Sequence, residues 1–192
     1  MDFQREAPIP WVSSATLLIA SMVTAPAFAV DYLSAEQAQQ LLFPMAVHWQ
    51  EKSYTLSPEQ LQAIAKVGSV PARSAGWKLV HAFDASNKYL GSVVVDHVIG
   101  KFELISYAVG LDANGVIAGI EVLSYRESHG SEIRLPAWRK QFVGKTLAQP
   151  LRTGNDIAIV SGATLSCNHV TDGVRRIAAV VAVLRDGALL PV

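Results

Sequence analysis

The rhythm of apolar and polar positions changes along this chain, and each change predicts an element. Ser34 followed by Gln37 forms a capping box into "AEQAQQLLF", and Ser57-Pro58-Glu59-Gln60 opens a second helix that Gly68 stops. From Trp77 to Ser124 the texture turns to β. "WKLVHAF" passes through the polar "DASNK" into "YLGSVVVDHVI", and "FELISYAVGL" turns at Asp112-Ala113-Asn114-Gly115 into "VIAGIEVLSY". Asn-Gly between two such runs is a hairpin signal. These segments predict an antiparallel sheet with one face packed on helices, an α+β domain.

A polar loop, "RESHGSEIR", follows. Pro136 opens a short helix, "PAWRKQF", whose Trp138 and Phe142 share one face as core residues, and Gly144 closes it. A strand-like "DIAIV" precedes the last helix. That helix is predicted to start near Ser166 and carries Val170, Val174, Ile177, Val181 and Leu184 along one stripe. Asp186-Gly187 ends it.

Composition narrows this picture. The 192 residues fit one domain, and 51% hydrophobic content supplies a core. Net charge is zero, which argues against a nucleic-acid groove. The pairs Arg139-Lys140 and Arg175-Arg176 read as solvated helix faces, the second too far along its helix to reach the helix start. Apolar residues before Ala27-Phe28-Ala29 give residues 1–29 the look of a secretory signal peptide, with an uncleaved anchor as the alternative. Either way, residues 30–192 are expected outside the cytoplasmic membrane. The single Cys167 makes no internal disulfide and reads as a small buried hydrophobe. His48, His81 and His97 show no metal-site spacing, and an exposed strand connection accounts for Asp96 and Lys101.

The stretch "IVSGATLS" at 159–166 brings in chemistry. Gly162 and Ala163 remove side-chain bulk where a strand hands over to a helix. The free N–H groups and positive dipole end of that helix favour an anion, and Ser161, Thr164 and Ser166 add hydroxyls. The same residues also make an ordinary turn with Thr164 or Ser166 as N-cap. On the residues alone both readings stand.

"SGATLS" resembles the S/T-G-A-T-x-S/T motif of the FMN-binding domain family, which includes the FMN-carrying subunits of the sodium-translocating NADH:quinone oxidoreductase and of the Rnf electron-transport complex. "ISYAVGLDANGVIAGIEVLSYRESHGSEI" is similar to the family's hairpin and following loop, "WRKQFVGK" to its short Trp/Phe helix, and "YLSAEQAQQLLFP" to the start of single-domain exported members. The resemblance covers about residues 32–185. It implies FMN as cofactor, attached through a phosphoester to Thr164 by a flavin transferase, with Ser161, Gly162, Ala163, Leu165 and Ser166 around the phosphate. It also implies that Glu127, Ser128, His129 and Gly130 approach the flavin, with Tyr125 either stacking on it or part of the core. One departure stands out. The family places an Asp three residues before the first motif position, where this chain has Ala158; Asp156 is the nearest acid.

With no dinucleotide fingerprint and no second cofactor motif, the resemblance implies an electron carrier serving membrane or periplasmic oxidoreductases. The rival readings are a small flavin reductase acting directly on an acceptor, and a flavin-free binding module of the same fold.

Overall fold

A computed structural model describes residues 32–191; the signal-peptide segment lies outside them. Five strands run in chain order, each antiparallel to the next: β1 (His48–Thr55), β2 (Gly76–Phe83), β3 (Tyr89–Ile99), β4 (Leu104–Asp112) and β5 (Ile117–Tyr125). The Asn-Gly turn forms as expected. Gly115 takes φ 82°, and the Asp112 carboxylate accepts the N–H groups of Asn114 and Val116.

Among the described residues, four α-helices pack around the sheet. In α1 (Ala35–Leu42) Ser34 and Gln37 exchange side chain–backbone hydrogen bonds, and Ser57 and Gln60 do the same at α2 (Pro58–Gly68). A short α3 (Pro136–Arg139) continues as a 3₁₀ turn through Phe142, burying Trp138 and Phe142 edge to face, 5.1 Å apart. The long α4 (Thr164–Asp186) buries the whole Val170, Val174, Ile177, Val181, Leu184 stripe.

Helices cover both faces of the sheet, where one covered face was expected. α4 packs on one face with α2 alongside it, and α1 lies across the other. Along β4, Ile105, Tyr107, Val109 and Leu111 enter the larger core under α4, while Ala108 joins a smaller core with Ala38, Leu42 and Phe43. A strand buried on both sides loses its polar alternation, and this one reads as a nearly continuous apolar run.

The structure departs from the sequence pattern elsewhere, and β1 is a strand that the pattern did not predict. β1 has no apolar alternation, because it is a sheet edge with Tyr54 as its one buried residue. Its Glu51 and Lys52 give the edge the charges that discourage pairing with another chain. "DIAIV" forms no strand, only an isolated bridge between Thr153 and Ile157 within a series of turns. Arg175 and Arg176 are not solvated but 9% and 2% exposed.

Arg176 is enclosed by partners from the sheet side. Its Nε donates to the Pro71 carbonyl at 2.8 Å, and its Nη1 lies 3.3 Å from the Asp96 carboxylate, which also accepts the Tyr107 hydroxyl at 3.0 Å. Gly173 makes room for that hydroxyl, since a Cβ there would overlap it. Asp96 is thus an anchor between β3 and α4. His81 is likewise a core residue, bonded at 2.8 Å to both the Tyr54 and Ser92 hydroxyls. Among the described residues no helix is long and apolar enough to cross a membrane, and no cluster of three His, Cys, Asp or Glu side chains could hold a metal.

Candidate functional site

The site grows from the way α4 begins. Ser161 and Gly162 form a turn in which Gly162 takes φ 78°, and the helix starts at Thr164, two residues before the expected position. Its N-cap is Ala163, at φ −126° and ψ 29°, and no side chain caps it. Neither Thr164 nor Ser166 fills that role, so the N–H groups of the first turn keep their donor capacity and the dipole's positive end.

Beneath the turn, Cys167 is buried. Its sulfur accepts the Val160 N–H at 3.3 Å, and burial pushes its thiol pKa up. It is a packing residue, as its place in the pattern predicted.

Three chain segments meet at this helix start and enclose a cleft of about 390 Å³. The α4 side supplies Gly162, Ala163, Thr164, Leu165 and Ser166; the loop after β5 supplies Glu127, Ser128 and His129; the turn between β3 and β4 supplies Lys101 and Phe102. Thr164 is exposed to the cleft, whereas Ser166 is buried with its hydroxyl 3.4 Å from that of Tyr125.

The other expected residues fall as follows. Ser161 is exposed beside the cleft without lining it. Gly130 is buried behind it, and a Cβ there would overlap that of Ala163. Its glycine character is explained by that close approach together with φ 83°. Tyr125 is a core strut, 3% exposed, donating to the His129 carbonyl, and burial raises its pKa. His129 sits at the wall with its Nδ1 2.9 Å from the Ser128 hydroxyl.

Glu127 reaches across the cleft floor. One carboxylate oxygen accepts the backbone N–H groups of Lys101, Phe102 (2.6 Å) and Glu103 (3.0 Å). Desolvation, the largest influence, pushes its pKa up, but the three donors and the Lys101 charge together hold it below the usual glutamate value. Gly100 leaves the space, since a Cβ there would stand 2.5 Å from that oxygen and 2.9 Å from the Ser166 hydroxyl. From α4, the His169 Nδ1–H donates to the Ile99 carbonyl and fixes the end of β3 against the helix.

Phe102 was missed at the level of sequence, and Lys101 was assigned only to an exposed strand connection, whereas both line the cleft. "FE" reads as the entry to a strand, yet β4 begins only at Leu104, leaving Phe102 74% exposed on the turn. A large apolar residue in a polar turn was the available signal.

Asp156 has its own role, away from the cleft. It accepts the N–H groups of Leu151 and Arg152 and pairs with Lys145 at 3.0 Å. Desolvation alone would raise its pKa, but these donors outweigh it and lower the value. Ala158 is held by its backbone, its N–H donating to Gln141 and its carbonyl accepting the Trp138 indole N–H.

An uncapped helix start with small residues, flanking hydroxyls, a lysine and an exposed aromatic ring suits a ligand that combines an anionic group with a flat apolar one. The comparisons with known proteins agree. The model of the FMN-binding domain family matches residues 100–179, a span that opens at Gly100 in the Lys101–Phe102 turn and closes within α4. Residues 100–179 thus match an FMN-binding domain, and FMN is the cofactor that this match supports. Among solved structures, the crystal structure of Shewanella oneidensis NqrC matches with a TM-score of 0.52 at 19% identity, covering 77% of this chain and 88% of that one, and so shares the fold. A search of curated proteins finds no match.

Proposed function

We propose that this chain is an exported electron carrier whose FMN is attached through its phosphate to Thr164. The observation that carries the reading is the open start of α4, where an exposed threonine hydroxyl stands beside N–H groups that no side chain caps. A phosphate diester at that oxygen would retain a negative charge, which the helix end favours.

Bound FMN would supply the redox chemistry, and the residues around it would hold the phosphate, shield the ring and govern access. Thr164, Ser166 and the N–H groups of the first turn suit the phosphate end. Ser128, His129, Lys101 and Phe102 form the remaining wall. The small size of the domain and the apolar N-terminal stretch ending in Ala27-Phe28-Ala29 support a periplasmic carrier that exchanges electrons with membrane oxidoreductases and is matured by a flavin transferase. Attachment would proceed without an acid at position 158, because Asp156 is committed to its own turn.

Intact mass and visible spectrum of the exported chain, made with and without a flavin transferase, test this reading. The wild type is expected yellow and heavier by one FMN less one water only when the transferase is present, and T164A is expected to stay at its unmodified mass. A yellow wild type of unmodified mass would replace attachment by reversible binding. A colourless wild type under both conditions would remove the carrier reading.

A further inference from the structure

The contact between Glu127 and the turn at 101–103 exceeds what closing a turn requires. A β3–β4 connection is already closed by its own backbone, with the Gly100 N–H donating to the Glu103 carbonyl at 2.8 Å. A carboxylate from a distant loop nevertheless gathers the next three N–H groups onto one oxygen. Charge-assisted bonds of this kind are strong, and they hold the turn in one conformation. The turn so fixed carries no core residue. It carries Phe102, an exposed residue that lines the cleft as Leu165 does, with the Lys101 ammonium 4.9 Å from its ring centroid.

We infer that Glu127 is a positioning residue that fixes the 101–103 turn so that Phe102 forms the aromatic wall of the flavin cleft, against the isoalloxazine ring of bound FMN. This rests on the FMN-binding reading of the same cleft. A flat conjugated ring gains from an aromatic side chain at its face or edge, and the gain is larger when that side chain is ordered before binding. Glu127 acts through the turn, since one of its carboxylate oxygens gathers all three backbone donors.

The test uses the FMN-loaded chain, with loading established first by absorbance and mass. Collisional quenching of flavin fluorescence by iodide and the visible circular dichroism of the flavin are then read in wild type, F102A, F102L, E127A, E127Q and the E127A/F102A double variant. Thermal unfolding is followed in parallel. F102A is expected to raise the iodide quenching constant, because loss of the ring opens the flavin to the quencher, and F102L to raise it less.

E127A is expected to match F102A, with the double variant adding nothing further. E127Q, whose amide oxygen still accepts N–H groups, should recover much of the wild-type behaviour. A purely structural role for Glu127 would lower the unfolding temperature without this pattern and would overturn the inference. So would loaded F102A with wild-type flavin optics, which would leave Phe102 free for a protein partner, or an additive double variant, which would place Glu127 on the flavin itself. A wild type that takes up no FMN would overturn the binding reading and this inference together.

Discussion

The starts of α2 and α4 use the same residue chemistry to opposite ends. Before α2, Ser57 turns its hydroxyl onto the Gln60 N–H and receives the glutamine side chain on its own N–H, so the helix end is closed from within. Around the start of α4, Ser161, Thr164 and Ser166 offer three hydroxyls, and none caps the helix. The contrast extends inward. The chain of buried polar groups from Tyr54 through His81 and Ser92 to Tyr89 is bonded link to link. Polar groups satisfied from within stabilise the fold, while polar groups left open beside a cleft are available to a ligand.

The largest expected effect tests the satisfied side of this comparison. Burial first, and then the charge of Lys52, lower the His81 pKa from 6.5 to about 4. The unfolded chain therefore takes up its proton at a higher pH than the folded one. Stability is full above pH 6.5 and falls as pH drops towards 4, with a slope of up to about 1.4 kcal/mol per pH unit and a total of roughly 3 kcal/mol. Urea unfolding across this range should show the slope, and H81Q should lack it. FMN retained per folded molecule should not follow the same curve, because His81 lies outside the cleft. A matching loss of FMN would show that the two regions are not independent.

Next in size is a pair of glycine substitutions on the open side. At Gly130 an added methyl meets Ala163 and the Tyr125 hydroxyl, on a backbone with φ 83°. At Gly162 the backbone is equally left-handed, φ 78°, but the nearest atom is the His129 Cβ at 3.9 Å. G130A should therefore cost about 2–3 kcal/mol, crowding added to backbone strain, and G162A about 1 kcal/mol from the backbone alone. Chemical denaturation measures both. Equal costs would mean that the Gly130–Ala163 contact does not hold the cleft's back wall.

What could be read in the sequence divides along the same line. The stretch at 162–166 drew notice because its small and hydroxyl residues are consecutive, and 127–129 only through the family resemblance; the cleft brings the two together. The capping boxes and the apolar stripe of α4 were legible for the same reason, since helical neighbours lie within one turn. Contacts made across long separations were hidden. Glu127 holds Lys101 and Phe102 from another loop, and Arg176 finds its Asp96 partner on a distant strand. β1 was hidden because an edge strand with one buried side chain has no pattern to show.

The smallest effects bear most directly on the comparison. S57A removes a hydroxyl that caps, and should cost about 1 kcal/mol. T164A removes a hydroxyl at the first helical position that caps nothing and replaces it with a better helix former, so stability should change by less than about 0.5 kcal/mol. The two variants differ by one side chain each at the start of a helix, and denaturant titration of the FMN-free chains resolves them. If T164A costs as much as S57A, the threonine hydroxyl is a structural cap, and the start of α4 is closed like the others. If it costs almost nothing while attached FMN disappears, the hydroxyl is held in reserve for the flavin phosphate. A residue whose loss the fold does not register and the cofactor does is then defined by its chemistry rather than by its packing.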